Sequence, residues 1–260
     1  MQLFGKFVEI LDAEMEIPAL YGWFHLLFFA LAIFAGLFLA KKFKNPKRST
    51  VKKILLTAGI VMIILEIYKQ LSFTFDYDGT SVTADYQWYA FPFQFCSTPM
   101  YIALLAGLIK NDKVHNALCA YLATFSMFAG LCVMFYPGDV FIETIGINIQ
   151  TMVHHGLMVT FSIFLLGSGY VSTKMRTLVR GTIVFVICII LASIMNEIAY
   201  HSGLDETFNM FYISPHQPPH LPVYSLVQEY VFYPLCTVIY IGAFTLASYL
   251  ILLFARLVKR

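Results

Sequence analysis

Long apolar runs separated by short polar stretches dominate the chain. A run of about 20 apolar residues is long enough to cross the hydrocarbon core of a bilayer as a helix. Seven runs of this kind are present, at about residues 20–41, 51–73, 91–109, 115–136, 149–168, 178–200 and 228–255. The pattern predicts an all-α membrane protein with seven transmembrane helices.

The N-terminal residues follow a different pattern. Between residues 3 and 15, the apolar residues Leu3, Phe7, Ile10 and Leu11 fall on one side of a helix. This spacing predicts a short amphipathic helix that lies on the membrane surface. Because no repeat or linker divides the chain, we expect one membrane domain over residues 1–260, with an interfacial helix in 1–16 and a seven-helix bundle in 17–260.

The basic residues predict how the bundle is oriented. Every Lys and Arg except Lys6 and Lys69 belongs to one of four groups, which follow the first, third, fifth and seventh spans. The groups are Lys41, Lys42, Lys44, Lys47, Arg48, Lys52 and Lys53; Lys110 and Lys113; Lys174, Arg176 and Arg180; and Arg256, Lys259 and Arg260. Since short cytoplasmic loops carry the excess of Lys and Arg, we expect the N-terminus outside and the C-terminus in the cytoplasm.

Composition narrows the class of protein. The chain is 59% hydrophobic and 12% charged, whereas an average soluble domain has roughly 25% charged residues. We therefore expect a multi-pass protein of the cell membrane. A net charge of +2, without basic runs interleaved with exposed aromatic residues, argues against nucleic-acid binding.

Polar side chains lie near the outer ends of five predicted spans. They are Glu66, Lys69 and Gln70; Gln94 and Cys96; Asn148, Thr151, His154 and His155; Asn196, Glu197 and His201; and Gln228 and Glu229. Ionisable groups within spans are costly and usually face an interior cavity. Their common depth predicts a polar site in the outer half of the bilayer, although Glu66 with Lys69, and Glu197 with His201, are also typical of structural ion pairs.

The stretch FPFQFCSTPM, residues 91–100, combines a nucleophile with helix-breaking residues. Pro99 lacks an N–H and crowds the preceding turn, so we expect it to open the helix beneath Cys96. A histidine beside a thiol can take its proton and later protonate a leaving oxygen. His154 and His155 are both candidates for that base.

Amides at the same depth are candidates for stabilising an oxyanion. Gln94 and Asn148 are the nearest in this reading, and Glu66, Lys69 and Asn196 are candidate substrate contacts. Metal binding is the competing interpretation of the histidines, but His201, His216 and His220 lack the short ligand spacing of a zinc site. We predict no metal and no cofactor.

The order of these motifs resembles the YwaF family of bacterial integral membrane proteins and their animal relatives, the transmembrane-protein-164 acyltransferases. The matching pieces are Glu66, Tyr68 and Lys69; PFQFC ending at Cys96; VHHG ending at Gly156; and Asn209 to Tyr212, followed by Pro215 and by EYVFYP ending at Pro234. The resemblance covers roughly residues 50–245.

The resemblance implies acyl transfer between phospholipids through a cysteine thioester, with a histidine as base. Cys96 then becomes the nucleophile and His155 the base, with Asn209 and Tyr212 as candidate substrate-binding residues. Two departures matter: Gln94 stands where many relatives have histidine, and His154 is an additional histidine, so the choice between His154 and His155 stays open.

We therefore predict a lipid acyltransferase that acts on a phospholipid or lysolipid. The aromatic residues around Cys96, such as Phe93, Phe95 and Trp88, would suit an acyl-tail pocket or an aromatic belt at the membrane surface. The alternative function is a transporter or a small-ligand binding protein that uses Glu66, Lys69, Glu197 and His155. A scaffold without chemistry is a third interpretation.

Overall fold

The protein is a helical bundle with one small hairpin. The computed structural model describes residues 2–217, 225, 227 and 230–258. The helices are Gln2–Leu11 (α1), Trp23–Lys42 (α2), Arg48–Ser72 (α3), Thr98–Leu108 (α4), Asp112–Ala123 (α5), Phe125–Phe135 (α6), Ile145–Gly167 (α7), Met175–Ser202 (α8) and Tyr233–Val258 (α9). The strands are Phe75–Tyr77 (β1) and Val82–Ala84 (β2), and Trp88–Ala90 and Met210–Tyr212 form short 3-10 turns.

Five helices within the described residues are long and apolar enough to cross a membrane. They are α2, α7, α8, α9 and the segment Asp112–Phe135, which joins α5 to α6 at Thr124. The predicted second span corresponds to α3, whose 25 residues do not belong to this group of five. The protein is thus a multi-pass membrane protein, and the count of seven spans stays a prediction.

The predicted third span is much shorter than expected. Helix α4 has 11 residues, or about 16 Å at ~1.5 Å per residue, against the ~30 Å of the hydrocarbon core. Residues 91–97 precede it without forming part of the helix. The prediction that a helix begins near residue 91 was therefore wrong.

The hairpin was not predicted by the all-α reading. Strands β1 and β2 are antiparallel, with Phe75 opposite Ala84 and Tyr77 opposite Val82. Helix α1 packs against this hairpin, and Phe4 meets Phe75 edge to face at 5.2 Å. The helix predicted near the N-terminus is thus present, and Leu3 and Ile10 remain exposed on it.

Close helix contacts hold the bundle together. A Cβ added at Gly59 would lie 2.9 Å from the backbone nitrogen of Leu104, and one added at Gly107 would lie 2.7 Å from the Cβ of Leu56. Small residues permit such close backbone approach between membrane helices. Helices α3 and α4 are therefore closely packed, and α4 begins next to the stretch that carries Cys96.

The predicted basic groups meet at one end of the bundle, which we call the basic end. Arg48 pairs with Asp112, Lys52 donates to Leu108 O at 3.2 Å, and Arg256 donates to Thr173 O at 2.5 Å. These contacts join α3 to the end of α4 and to the start of α5, and they join α9 to the loop before α8. The opposite end carries the hairpin; the assignment of the basic end to the cytoplasm stays a prediction.

Candidate active site

Cys96 lies immediately before α4 rather than inside a helix. Ser97 is the N-cap of α4, and Pro99 is within its first turn, where a missing N–H costs nothing. The expectation that Pro99 opens a turn beneath Cys96 was therefore wrong, because Pro99 helps to start the helix there. Cys96 is held by an irregular segment.

Groups from three parts of the chain, α3, α7 and the residue after Cys96, interact with Cys96. The ring of His154 donates from Nε2 to the Cys96 carbonyl oxygen at 3.0 Å. Ser97 follows Cys96 directly in the chain and interacts electrostatically with its thiol. Lys69 and Glu66 also interact electrostatically with the thiol. The cysteine thus lies among donors and charges supplied by α3, α7 and its own segment.

His155 follows His154 on α7, and one of its two ring nitrogens is unpaired among the described residues. Its Nδ1 bonds the carbonyl oxygen of Thr151 at 2.8 Å, so Nδ1 carries the proton. Nε2 is buried and has no hydrogen-bond partner among the residues that the structure describes. The two imidazole centroids are 5.3 Å apart. His155 therefore has one ring nitrogen unpaired in the described chain and lies beside His154, the residue that bonds Cys96 O.

The Glu66–Lys69 pair expected from the sequence is present. Lys69 Nζ lies 2.7 Å from Glu66 Oε1, and Gln70 donates to the same oxygen at 2.7 Å. Gln70 also bonds Ala90 O at 2.9 Å and accepts from the Tyr86 hydroxyl at 2.6 Å. This network ties the end of α3 to the segment that leads into Cys96.

Two amides hold the Asn209–Tyr212 segment next to Cys96. Gln94 donates to Asn209 O at 3.0 Å and accepts from Phe211 N at 2.9 Å. Asn196 donates to Met210 O at 3.0 Å and accepts from Met210 N at 2.7 Å. The side chains of Gln94 and Asn196 therefore bond the backbone of residues 209–211.

The backbone of the segment is strained. Phe211 and Tyr212 have φ of 58° and 56°, a left-handed conformation that bulky side chains rarely adopt. The carbonyl of Phe211 accepts from the Tyr240 hydroxyl at 3.1 Å, and Tyr212 interacts electrostatically with Cys96. Strained backbone of this kind clusters at functional sites.

Other predicted residues lie elsewhere. The amide of Asn148 bonds the backbone of Ile142: Nδ2 donates to Ile142 O at 2.6 Å, and Oδ1 accepts from Ile142 N at 2.9 Å. Glu197 pairs with His216 at 3.1 Å and with His201 at 3.6 Å in an exposed cluster. Gln228, Glu229 and His220 lie outside the described residues.

Several of the residues described above carry unpaired buried polar atoms. Eight buried side-chain nitrogen and oxygen atoms in the described chain have no hydrogen-bond partner, and four belong to these residues: Glu66 Oε2, His154 Nδ1, His155 Nε2 and Asn209 Nδ2. Buried polar atoms are normally bonded, so each exception calls for a role. Together they offer two imidazole acceptors, one carboxylate oxygen and one amide donor.

An apolar groove begins beside the cysteine. It has a volume of about 440 Å³ and runs between α4, α5 and α8, with Phe93 and Thr98 at one extreme and Lys113 at the other. Phe93 and Thr98 flank Cys96 in the chain. The groove walls are otherwise almost wholly apolar, with residues such as Leu105 and Ile187. An alkyl chain is the ligand that such walls favour.

Comparison with known families identifies the chain. The model of the TMEM164 family matches residues 20–252. The chain belongs to the TMEM164 family. The resemblance drawn from the short motifs is thereby confirmed for TMEM164. Neither the curated proteins nor the solved structures include a significant match.

Sequence reasoning missed several residues that shape the site. Ser97 is the chain neighbour of Cys96, and that adjacency was the available signal. Tyr240 places a hydroxyl within a predicted apolar span, and that hydroxyl was a second signal in the sequence. Nothing in the sequence marks Phe211 as left-handed, because that conformation depends on Gln94 and Tyr240 from distant parts of the chain.

Proposed function

We propose that this protein is an acyltransferase of the cell membrane that moves an acyl chain from a phospholipid to a lysolipid or related acceptor. The proposal rests on two observations. His154 bonds Cys96 O, and the neighbouring His155 has an unpaired Nε2 among the described residues. Phe93 and Thr98, on either side of Cys96 in the chain, line an apolar groove. A nucleophile, a base and an alkyl site are what thioester chemistry on a lipid requires. Family membership supports the same class of protein.

The reaction has two balanced halves. The Cys96 sulfur attacks the ester carbonyl of the donor, and its proton passes to a histidine. The histidine then protonates the departing lysolipid oxygen, which leaves an acyl thioester on Cys96. In the second half, the histidine takes the proton of the acceptor hydroxyl, whose oxygen attacks the thioester carbonyl. The C–S bond breaks, the acceptor leaves as the new ester, and the histidine returns the proton to the Cys96 sulfur.

We assign the base to His155. Its Nδ1 is fixed by Thr151 O, so Nε2 at the tip of the ring is an acceptor with no partner among the described residues. A ring oriented in this way is the usual form of a general base. The corresponding nitrogen of His154 already bonds Cys96 O, so we assign His154 to positioning.

Oxyanion stabilisation falls to different groups from those expected. Gln94 and Asn196 hold the backbone of residues 209–211, and Asn148 bonds Ile142. Asn209 has a buried Nδ2 donor without a partner in the described part of the chain. We propose that this amide, with the N–H of Cys96, donates to the oxyanion.

The experiment is acyl transfer by the purified protein in lipid nanodiscs, measured with a phospholipid that carries one labelled chain. Cys96→Ala is expected to lower the rate by on the order of 10³-fold or more, and Cys132→Ala, which removes an exposed cysteine, should leave it unchanged. Full activity in Cys96→Ala would sink the proposal.

The two histidines are separated by matched variants. His155→Gln is expected to lower the rate by about 10²- to 10⁴-fold, the range for a general base, and to remove the low-pH limb of the rate profile. His154→Gln removes one hydrogen bond to Cys96 O and should cost no more than about tenfold. The reverse order of effects would transfer the base to His154.

A further inference from the structure

A second cavity lies at the basic end, away from Cys96. It has a volume of about 210 Å³ and is lined chiefly by polar side chains. These are Asn116 and Cys119 of α5, Tyr170 and Ser172 of the loop between α7 and α8, and Thr177 and Arg180 of α8. At ~30 Å³ for each water-sized group, the cavity is large enough for a phosphate group and a few waters.

The charge in this cavity is not neutralised from within. Arg180 is partly buried, and no ion pair or hydrogen bond joins it to another residue in the described ranges. No carboxylate is among the described residues that line this cavity. Asp112, the acid on the neighbouring helix, already pairs with Arg48. An unpaired guanidinium in a polar cavity is a site for an anion.

Among the described neutral side chains in the cavity lining, the Asn116 amide is a free donor. The side-chain amide of Asn116 has no protein partner in the part of the chain that is described, whereas the Thr177 hydroxyl, on a residue that is 6% exposed, bonds Ser172 O at 2.7 Å. Tyr170 is fixed by a 2.8 Å bond to His115 Nε2. The cavity also lies at the first turns of α8, a helix of 28 residues, whose N-terminal end favours negative charge.

We propose that this cavity binds a phosphate group at the basic end of the bundle. The planar guanidinium of Arg180 contacts two phosphate oxygens, and the Asn116 amide donates to a third. The ligand chemistry is shared by a lipid headgroup and by free inorganic phosphate. Basic pockets between membrane helices are typical sites for anionic headgroups, and this site does not depend on the acyl-transfer proposal.

The test uses the full-length protein purified in detergent and follows its melting temperature as ligand is added. Dioctanoyl phosphatidate is compared with dioctanoylglycerol, which differs only in lacking phosphate, and inorganic phosphate is compared with chloride at equal ionic strength. Stabilisation by phosphatidate alone assigns the site to a headgroup. Stabilisation by inorganic phosphate at similar concentrations assigns it to the soluble anion.

Matched variants locate the binding. Arg180→Gln and Asn116→Ala come from different helices, and each is expected to weaken binding about tenfold, the effect of one charge-assisted or neutral hydrogen-bonding group. Arg176→Gln removes an exposed charge one turn earlier on α8 and should change binding less than about threefold. No stabilisation of the wild type by either phosphate ligand, or equal weakening by Arg176→Gln, would overturn the proposal.

Discussion

The amide of Gln94 is predicted to be one of the most important polar groups for the site's stability. Gln94→Leu keeps the approximate shape of the side chain and removes both of its hydrogen bonds, to Asn209 O at 3.0 Å and from Phe211 N at 2.9 Å. Asn209 O still accepts from Tyr212 N at 3.3 Å, whereas the buried Phe211 N–H loses its acceptor. An unsatisfied buried donor costs ~1–3 kcal/mol and a lost bond ~1 kcal/mol.

The variant should therefore lower the free energy of unfolding by about 2–4 kcal/mol. The measurement is equilibrium unfolding in mixed micelles with increasing denaturing detergent. Gln87→Leu is the matched control, because Gln87 makes one exposed bond to Asp85 O at 3.2 Å, and its removal should cost under ~0.5 kcal/mol. A Gln94→Leu protein within ~0.5 kcal/mol of wild type would refute the reasoning, because the left-handed turn would then not depend on this amide.

Two further predictions concern the frame around the site. Gly107→Ala places a Cβ 2.7 Å from Leu56 Cβ, so overpacking should destabilise the protein by about 1–3 kcal/mol. The control is Gly242→Ala, whose new Cβ meets open space and should be neutral or slightly stabilising. Equal stability of the two variants in thermal unfolding would contradict the close α3–α4 contact. The backbone N–H of Ser81 and the donors of Thr80 lower the pKa of Asp78 below its ordinary 3.8. The ionised carboxylate therefore stabilises the turn above pH 3.8. This stabilisation is lost as the pH falls through the lowered pKa of the folded protein. Carboxyl chemical shifts should show Asp78 still ionised at pH 3.8, and titration at the ordinary value would disprove these bonds.

The helices were predictable because lipid imposes a simple requirement. An apolar run must bury its backbone bonds in a helix, so α2, α7 and α8 appear close to their predicted bounds. The start of α4 was not predictable in the same way. Phenylalanines in residues 91–97 extend the apolar run of α4, but Pro92 and the pairing of Gln94 with residues 209–211 favour an irregular segment there.

The candidate site was partly predictable for a different reason. Opposite-running helices bring their outer ends together, so depth alone groups Glu66, Gln94, His154 and Asn196. Depth cannot say where each side chain points. Asn148 bonds Ile142 in the loop before α7. Gln94 bonds the backbone of residues 209 and 211, which lie far from it in the chain.

The central claim is that an acyl chain is carried on the sulfur of Cys96. The most direct measurement is peptide mass spectrometry of protein quenched in acid during turnover with a phospholipid of defined chains. The account predicts an acyl mass on the Cys96 peptide that neutral hydroxylamine removes, that persists in Cys132→Ala and that is absent from Cys96→Ala. Turnover without any acylated Cys96 peptide, at an undiminished rate in Cys96→Ala, would contradict it.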